Sequence, residues 1–250
     1  MRGGAHGQSR MGKGKRKGTA RPKQLALART AGHGGKRKGA GRPAGARRRV
    51  PHRKRPPHAR GKPVHLTLRA RRGLPSLRCE LVRVMFLRLL AERPRDDFQI
   101  TAHSIQHDHV HLIGEASDAR ALSSGMRSLA IRFAKRLDAL LRRRKGKVWD
   151  HRYHRHDLAT PSEVKNTLLY VLQNAKKHGE AARGASFLDP FSSAAWFDGW
   201  IDRCARDPTE DDSWRPPRPR TWLLAIGWRR HGQLRSTDAP KMAPDRSRVG

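Results

Sequence analysis

The chain has 250 residues and a formal net charge of +35, from 56 Lys and Arg residues against 21 Asp and Glu residues. Such an excess of positive charge points to a polyanionic partner, with nucleic acid as the simplest choice and an anionic membrane surface as the competitor. The sequence shows no apolar run of transmembrane length and no secretory segment, so a membrane-spanning or exported protein is not expected. The two cysteines, Cys79 and Cys204, stand alone and predict neither a disulfide framework nor a zinc site.

Residues 1–63 contain no Asp or Glu and carry 21 of the 56 basic residues, together with many Gly and Pro. A segment with so little apolar surface cannot offset the entropy lost on ordering, so we predict a disordered basic tail that binds phosphate groups. Within it, Gly41-Arg42-Pro43 is similar to the core of an AT-hook, which lies in the minor groove of AT-rich DNA. The second arginine of that motif is absent, and a generic basic tail is the alternative. Arg42 is the candidate DNA contact of this segment.

A folded domain is predicted over residues 64–179, and it begins with a strand. Apolar residues alternate with polar ones from Val64 to Arg69, which is the pattern of a half-buried strand. Residues 75–93 predict a helix that ends before Pro94. Its residues at helical spacing are Leu77, Leu81, Val84, Met85 and Arg88.

The stretch from Phe98 to Glu115 predicts two strands joined by a tight connection, and the second strand carries His109 and His111. Because successive side chains of a strand point to opposite faces, both imidazoles project from one face and can share a divalent metal ion. The spacing by itself is a weak signal, since the chain has 14 histidines and a surface strand of a basic protein is the alternative. The His-x-His pairs of the chain are His107/His109, His109/His111 and His154/His156.

A long helix is predicted over residues 119–142, capped by Ser117-Asp118. Its basic face makes Arg136 a candidate phosphate contact, with a merely solvated face as the alternative. The apolar stripe of the helix consists of Leu122, Met126, Leu129, Phe133, Leu137 and Leu140.

Residues 147–158 predict a strand and its exit, in which Trp149 and Tyr153 are interleaved with basic residues and histidines. Aromatic and basic side chains together suit contact with unpaired bases, and Arg152 is a candidate contact. A half-buried edge strand is the alternative for the same pattern.

A third helix has clear boundary signals: it begins at Thr160-Pro161 with a capping-box Glu163 and stops at Gly179 after a basic last turn. Tyr170 and Asn174 lie one turn apart at the flank of its apolar stripe, where a tyrosine can reach a cleft beside the core. A packing tyrosine with a wet hydroxyl is the alternative. The predicted buried stripe is Val164, Leu168, Val171, Leu172 and Ala175.

Beyond this helix the sequence becomes irregular. Residues 180–206 predict an apolar arm that packs on the domain. Residues 207–250 predict a Pro-rich linker, a short amphipathic helix within residues 221–234, and a tail.

Three motifs within residues 64–179 resemble, in the same order, those of the single-tyrosine HUH transposases, and the REP-associated tyrosine transposase branch above all. They are HSIQHDHVHLIGEA, KVWDHRYHRHDLATPSEV and LLYVLQNAKKHG. The flanking GGKRKGAGRP and TWLLAIGWRRHG resemble a larger set of bacterial transposase-like proteins. The resemblance implies an α+β fold with a ferredoxin-like antiparallel sheet and packed helices. It also implies that His109 and His111 bind Mg²⁺ or Mn²⁺, that Tyr170 is the nucleophile, and that Asn174 completes the metal site.

The implied activity is cleavage and rejoining of single-stranded DNA, often folded as a hairpin, through a 5′-phosphotyrosine intermediate. A free phenol has a pKa near 10, so the metal or basic groups must assist the attack. Lys176, Lys177 and Arg152 are the candidates for this assistance and for DNA binding. The family often has Pro-Asn where this chain has His107-Asp108, and Asn-Pro where it has Asn174-Ala175. Neither departure removes a proposed catalytic group.

Two other functions stay open at this point. One is a catalytically inactive DNA-binding protein on the same fold, and the other is a basic RNA-binding protein. The sequence does not decide whether the site is formed within one chain or across a homodimer. A cytoplasmic, nucleoid-associated protein is expected.

Overall fold

The architecture is an α+β fold built on one antiparallel sheet. The computed structural model describes residues 57–92, 94–143, 146–179, 181–182, 184–202 and 214–240. These residues belong to one compact unit, Lys54–Gly250. Most of the predicted basic tail, including Arg42, lies outside the described residues, as do Cys204 and the last ten residues.

Four strands form the sheet, in the spatial order second, third, first and fourth along the chain. They are β1 (Val64–Arg69), β2 (Phe98–Ile105), β3 (His109–Ala116) and β4 (His154–Asp157), and all neighbours pair antiparallel. Helix α1 (Glu80–Ala91) joins β1 to β2, and helix α2 (Ala119–Leu140) joins β3 to β4. This order of strands and helices is that of a ferredoxin-like fold, which confirms the predicted fold class.

Helices α1 and α2 cover one face of the sheet. The alternation of β1 sends Val64, Leu66 and Leu68 to this face, where all three are buried. Asp118 caps α2, because its side chain accepts a hydrogen bond from the backbone N–H of Ala121 at 2.8 Å. The predicted stripe of α2 is buried except for Leu140, which is 39% exposed.

Helix α1 begins later than predicted, at Glu80, and Leu81 of the predicted stripe is 66% exposed. The reason lies before the helix: the backbone N–H of Leu77 donates to the His107 oxygen at 2.8 Å, so this stretch is bound to the β2–β3 turn. The helix therefore starts only after Cys79, and a different side of it faces the sheet. Its buried residues are Val82, Arg83, Phe86, Leu87 and Leu89.

Helix α3 (Pro161–Leu172) lies on the opposite face of the sheet. The predicted capping box is present, since Thr160 accepts from the backbone of Glu163 and the Glu163 side chain accepts from the backbone of Thr160. Gly179 ends this part of the chain with a φ of 78°, a left-handed conformation that glycine adopts without steric cost. The predicted stripe is buried throughout: Val164, Leu168, Val171, Leu172 and Ala175.

The predicted third helix is interrupted at Gln173, and a short helix α4 (Asn174–Lys177) follows. The fully buried side chain of Gln173 donates to the Phe187 oxygen at 3.1 Å and to the Ser236 oxygen at 3.0 Å. The break thus occurs where two later segments of the chain are bound.

The folded unit extends before the predicted boundary at residue 64. His58 is 7% exposed, and its Nδ1 atom lies 3.4 Å from Asp157 Oδ2. The backbone N–H of Leu158 donates to the Pro63 oxygen at 2.8 Å. The residues just before β1 therefore pack beside β4 instead of belonging to a tail.

Residues 184–202 also pack on the domain and contain a short 3-10 helix, Ser193–Trp196. Arg78 donates to both carboxylate oxygens of Asp189, at 3.0 and 2.9 Å, and this ion pair is buried. A bidentate pair of this kind fixes orientation as well as distance, so it ties the segment to the residues before α1.

Residues 214–240 pack on the domain too, where the sequence predicts a linker and a tail. The helix there is shorter than predicted: α5 (Trp222–Ala225) is followed by a 3-10 helix, Gly227–His231. Glu115, 4% exposed, accepts hydrogen bonds from the backbone N–H groups of Arg220 and Thr221 at 2.9 and 2.8 Å. The buried apolar residues of the segment are Trp214, Leu224, Trp228 and Leu234. Among the described helices, none is long and apolar enough to span a bilayer.

Candidate active site

The two histidines of the predicted metal pair lie side by side on β3. Val110 between them is buried in the core of the opposite face, so His109 and His111 share the face covered by α3. Their Nε2 atoms are 2.9 Å apart. When two nitrogens bind the same ion at about 2.1 Å with a nitrogen–metal–nitrogen angle of about 90°, they are about 3 Å apart. The observed separation therefore fits a shared cation.

The second ring nitrogen of each histidine has its own partner. His109 Nδ1 lies 2.6 Å from Asp108 Oδ1. His111 Nδ1 lies 3.1 Å from Thr67 Oγ1 and 3.2 Å from His65 Nε2. Thr67 reaches His111 because antiparallel pairing places the two residues opposite each other on β1 and β3. With both Nδ1 atoms engaged, the two Nε2 atoms face each other.

Tyr170 on α3 reaches the same cleft. Its hydroxyl oxygen lies 3.4 Å from His111 Nε2, and the two rings meet edge to face with centroids 5.0 Å apart. Lys177 donates from Nζ to that hydroxyl at 3.3 Å and lies 4.7 Å from the ring centroid. The His65 ring closes a third side, with its centroid 5.8 Å from that of Tyr170. All of these contacts are formed within one chain.

Asn174 lies one turn after Tyr170 and is fully buried. Its amide nitrogen donates to the backbone oxygen of Tyr170 at 3.1 Å. Its Oδ1 atom is buried and has no hydrogen-bond partner among the residues that the structure describes. An unpaired buried amide oxygen is costly, and a cation or a water molecule would satisfy it.

The donor set fits a divalent cation that keeps open coordination positions. Within the described ranges, no group of three or more His, Cys, Asp or Glu side chains is placed to hold a metal ion. His109 and His111 would supply two nitrogens, and the buried, unpartnered Oδ1 of Asn174 is a candidate third donor. Two or three protein donors leave room for oxygens of a phosphate or of water. Open positions of this kind are typical of catalytic metal sites, whereas structural sites are closed.

The buried histidines of the cleft are neutral at physiological pH. Burial, followed by the positive charges of neighbouring histidines and Lys177, lowers the pKa of His111 to about 2. Burial, followed by two histidines of β4, lowers the pKa of His65 to about 4. A neutral imidazole keeps a lone pair on one ring nitrogen, which is the form that a metal ligand requires.

Sequence reasoning alone does not find His65, Thr67 and Asp108 as parts of this cleft. His65 and Thr67 are polar positions of the alternating strand β1, and they become neighbours of His111 only through the pairing of β1 with β3. Sequence reasoning also leaves three basic residues open as partners of the tyrosine. The structure places Lys177 against the Tyr170 hydroxyl.

Lys176 lies in an environment that argues against its predicted role as a DNA contact. Its side chain is 2% exposed and donates to the backbone oxygens of Ser236 and Asp238. Burial lowers its pKa, although Asp238 and Asp202 oppose that shift. Lys176 therefore anchors the C-terminal segment inside the domain.

The other predicted DNA contacts stay at the surface or outside the described residues. Arg136 forms an ion pair with Glu92, which follows α1, and its side chain is 37% exposed. Arg152 is exposed in the loop before β4. Arg42 lies outside the described ranges.

The aromatic residues before β4 serve the core. Trp149 packs on Phe133 with ring centroids 4.9 Å apart, and its Nε1 donates to the Ala130 oxygen at 2.9 Å. Tyr153 packs against the same cluster. The structure favours the half-buried alternative for this segment over contact with bases.

Comparison with known proteins gives a likeness among solved structures but no matching family. No protein-family model matches the sequence, and no curated protein is similar to it. Among solved structures, the chain is similar to a REP-associated tyrosine transposase bound to a REP hairpin. The TM-score is 0.46 and the sequence identity 19%, over 65% of this chain and 93% of that chain.

Proposed function

We propose that this protein is a metal-dependent endonuclease and strand transferase for single-stranded DNA, of the transposase type, with Tyr170 as its nucleophile. One observation carries the proposal: the Tyr170 hydroxyl lies 3.4 Å from His111 Nε2 and 3.3 Å from Lys177 Nζ. A tyrosine hydroxyl, two histidines with facing Nε2 atoms and a lysine cation thus meet in one cleft. The sequence distance between the two halves, 59 residues from His111 to Tyr170, makes their meeting a property of the fold.

In the proposed reaction the Tyr170 oxygen attacks the phosphorus atom of a phosphodiester. A bond forms between that oxygen and phosphorus, and the bond from phosphorus to the 3′ oxygen breaks. The phenol loses its proton, and the departing 3′ oxygen takes one up to become a hydroxyl. The covalent 5′-phosphotyrosine stores the bond, so attack by another 3′-hydroxyl rejoins DNA without an external energy source.

Lys177 is the residue that assists the tyrosine in this proposal. A phenol has a pKa near 10, so forming a phenolate at neutral pH is unfavourable. An ammonium group within hydrogen-bond distance stabilises the negative charge of the phenolate. Lys177 donates to the oxygen that would carry the charge. His65 and His111 line the remaining sides of the ring and fix its direction.

His109, His111 and Asn174 would hold Mg²⁺ or Mn²⁺ in this proposal. Such an ion, when bound, polarises the scissile phosphate and neutralises its charge. The facing Nε2 atoms of the two histidines and the unpaired Oδ1 of Asn174 support this assignment.

The proposed substrate is single-stranded DNA, including DNA folded as a hairpin. The net charge of +35 supports a polyanion as partner. Three arginines are proposed to contact phosphate groups: Arg42, Arg136 and Arg152. Lys176 is left out of this set because it is buried. The contacts of the cleft lie within one chain and do not require a homodimer. A cytoplasmic, nucleoid-associated location stays a prediction.

The test uses the two tyrosines of the chain. Labelled hairpin DNA and Mn²⁺ are incubated with the wild type, with Tyr170→Phe and with Tyr153→Phe, and protein–DNA adducts that survive denaturation are measured. We expect the adduct with the wild type and with Tyr153→Phe, and none with Tyr170→Phe. An adduct with Tyr170→Phe identifies another nucleophile. A wild type that binds a broad hairpin library without forming an adduct supports the inactive DNA-binding alternative instead.

A further inference from the structure

We propose that Asp108 is a positioning residue that holds the imidazole of His109 in the tautomer needed for cation binding. The proposal rests on the proposed function, because it concerns the same metal site. It assigns a role to a residue at which this chain departs from the family that it resembles.

Asp108 is held from two sides. Its Oδ1 atom lies 2.6 Å from His109 Nδ1, and its Oδ2 atom accepts from Arg69 Nη2 at 2.9 Å. Its backbone oxygen accepts from the N–H of Ala70 at 2.7 Å. Arg69 is the last residue of β1 and Ala70 follows it, so these bonds hold Asp108 against the end of a strand in the sheet that carries the histidines.

The direction of the hydrogen bond between Asp108 and His109 follows from chemistry. An ionised carboxylate only accepts, so His109 Nδ1 must carry the proton in this bond. A neutral imidazole has one N–H, and the lone pair of His109 is then at Nε2. That lone pair faces His111 Nε2 at 2.9 Å, a distance at which two bare nitrogens need a proton or a cation between them.

His111 has a corresponding arrangement with neutral partners. Its Nδ1 lies against the Thr67 hydroxyl and His65 Nε2, and neither group carries a negative charge. Asp108 is therefore the one anion in direct contact with the pair among the described residues. A carboxylate behind a ligand histidine orients the ring and raises its basicity, and loss of such a partner typically costs about 10–100-fold in metal affinity.

The first experiment measures Mn²⁺ affinity calorimetrically, without DNA, for the wild type and for three variants. We expect Asp108→Ala to bind about 10–100-fold more weakly than the wild type. Asp108→Asn, whose amide oxygen can still accept from Nδ1 but carries no charge, should lose less. The matched control is Asp150→Asn, because Asp150 is 47% exposed and lies beside His151, 3.4 Å from its Nε2. The Asp108 side chain is 52% exposed, so its removal should not unfold the domain.

The second experiment tests the tautomer without metal. Long-range ¹⁵N NMR of labelled histidines, at pH about 8.5 where an ordinary imidazole is neutral, reports which ring nitrogen carries the proton. We expect His109, identified by its loss in His109→Ala, to carry the proton on Nδ1 in the wild type and to shift toward Nε2 in Asp108→Ala.

The outcomes separate the two proposals. If the wild type binds Mn²⁺ and Asp108→Ala binds it equally well, the role of Asp108 is overturned while the metal site stands. If the wild type binds no Mn²⁺, the metal part of the proposed function falls. The NMR result then still decides the role of Asp108, and a wild-type proton on His109 Nε2 overturns it.

Discussion

His103 and His111 are buried histidines of neighbouring strands, but they point to opposite faces of the sheet. His103 lies between Phe86 and Trp214, with ring centroids 5.5 and 5.4 Å away, and its Nδ1 has no hydrogen-bond partner among the described residues. The ring nitrogens of His111 lie within hydrogen-bond distance of Tyr170 and of three other polar groups, on His65, Thr67 and His109. The face under α1 and α2 uses its histidine as a packing residue. On the face under α3, the Nδ1 atom of His111 is held by polar partners and its Nε2 atom lies in the cleft beside His109 and Tyr170.

The same contrast runs along β3. His109 and His111 point into the cleft, while Val110 and Leu112 lie in the core beneath α1 and α2. One strand thus serves stability with one set of side chains and the candidate site with the other. Substitutions of alternate residues should separate the two properties.

The largest effect is expected from His111→Ala. Loss of a residue that hydrogen-bonds to a metal ligand typically lowers metal affinity or activity about 10–100-fold. Loss of the ligand itself should therefore reduce the rate of adduct formation by more than about 100-fold. The matched control is His151→Ala, since His151 is 60% exposed and lies outside the cleft. If His111→Ala keeps more than about a tenth of the wild-type rate, the cleft is not the site of cleavage.

Leu112→Ala should have the opposite profile. Leu112 is fully buried, so its truncation should lower the free energy of unfolding by about 2–5 kcal/mol in urea denaturation. The adduct rate per folded molecule and the Mn²⁺ affinity should stay at the wild-type values. Leu81→Ala, at a 66% exposed position, should change stability by less than about 0.5 kcal/mol. A large loss of rate in folded Leu112→Ala would break the separation between the two faces.

Lys176 and Lys177 provide a comparison between adjacent residues. Lys177→Met removes the cation beside the Tyr170 hydroxyl, and we expect the cleavage rate to fall by about 100-fold, the effect of removing one donor from a developing negative charge. Lys177→Arg should restore part of the rate. Lys176→Met leaves backbone oxygens unpaired and should cost about 1–3 kcal/mol of stability, with the rate unchanged. Equal rate losses in both variants contradict the assignment of Lys177.

The last comparison concerns pH and the packing histidine. Burial, followed by the charge of Arg83, lowers the pKa of His103 to about 3. In the unfolded chain, His103 takes up a proton near pH 6.5, whereas in the folded chain it does so only near pH 3. Between these two values the free energy of unfolding therefore falls by about 1.4 kcal/mol for each unit by which the pH falls. His103→Leu should remove that share of the slope between pH 6 and pH 4.5, measured by urea denaturation at each pH. His151→Leu, at an exposed position, should keep the wild-type slope.

The local patterns of the sequence predict much of this fold. Short-range physics determines the cap at Asp118, the capping box at Thr160, the buried stripes of α2 and α3, and the shared face of His109 and His111. Each of these depends on residues within a few positions of one another. The α1 stripe is the exception, because the residues before it are bound to His107, far along the chain.

By itself, then, the sequence determined the main strands and helices of the domain, the buried side of most of them, and the placing of His109 and His111 on one side of a strand. Only the tertiary structure decided that Thr67 and His65 lie behind His111, that Lys177 and not Lys176 reaches the Tyr170 hydroxyl, and that residues 214–240 pack on the domain. The physical reason is that strand pairing and helix docking join residues dozens of positions apart. Periodicity tells which side of an element is buried, but not which neighbour covers it.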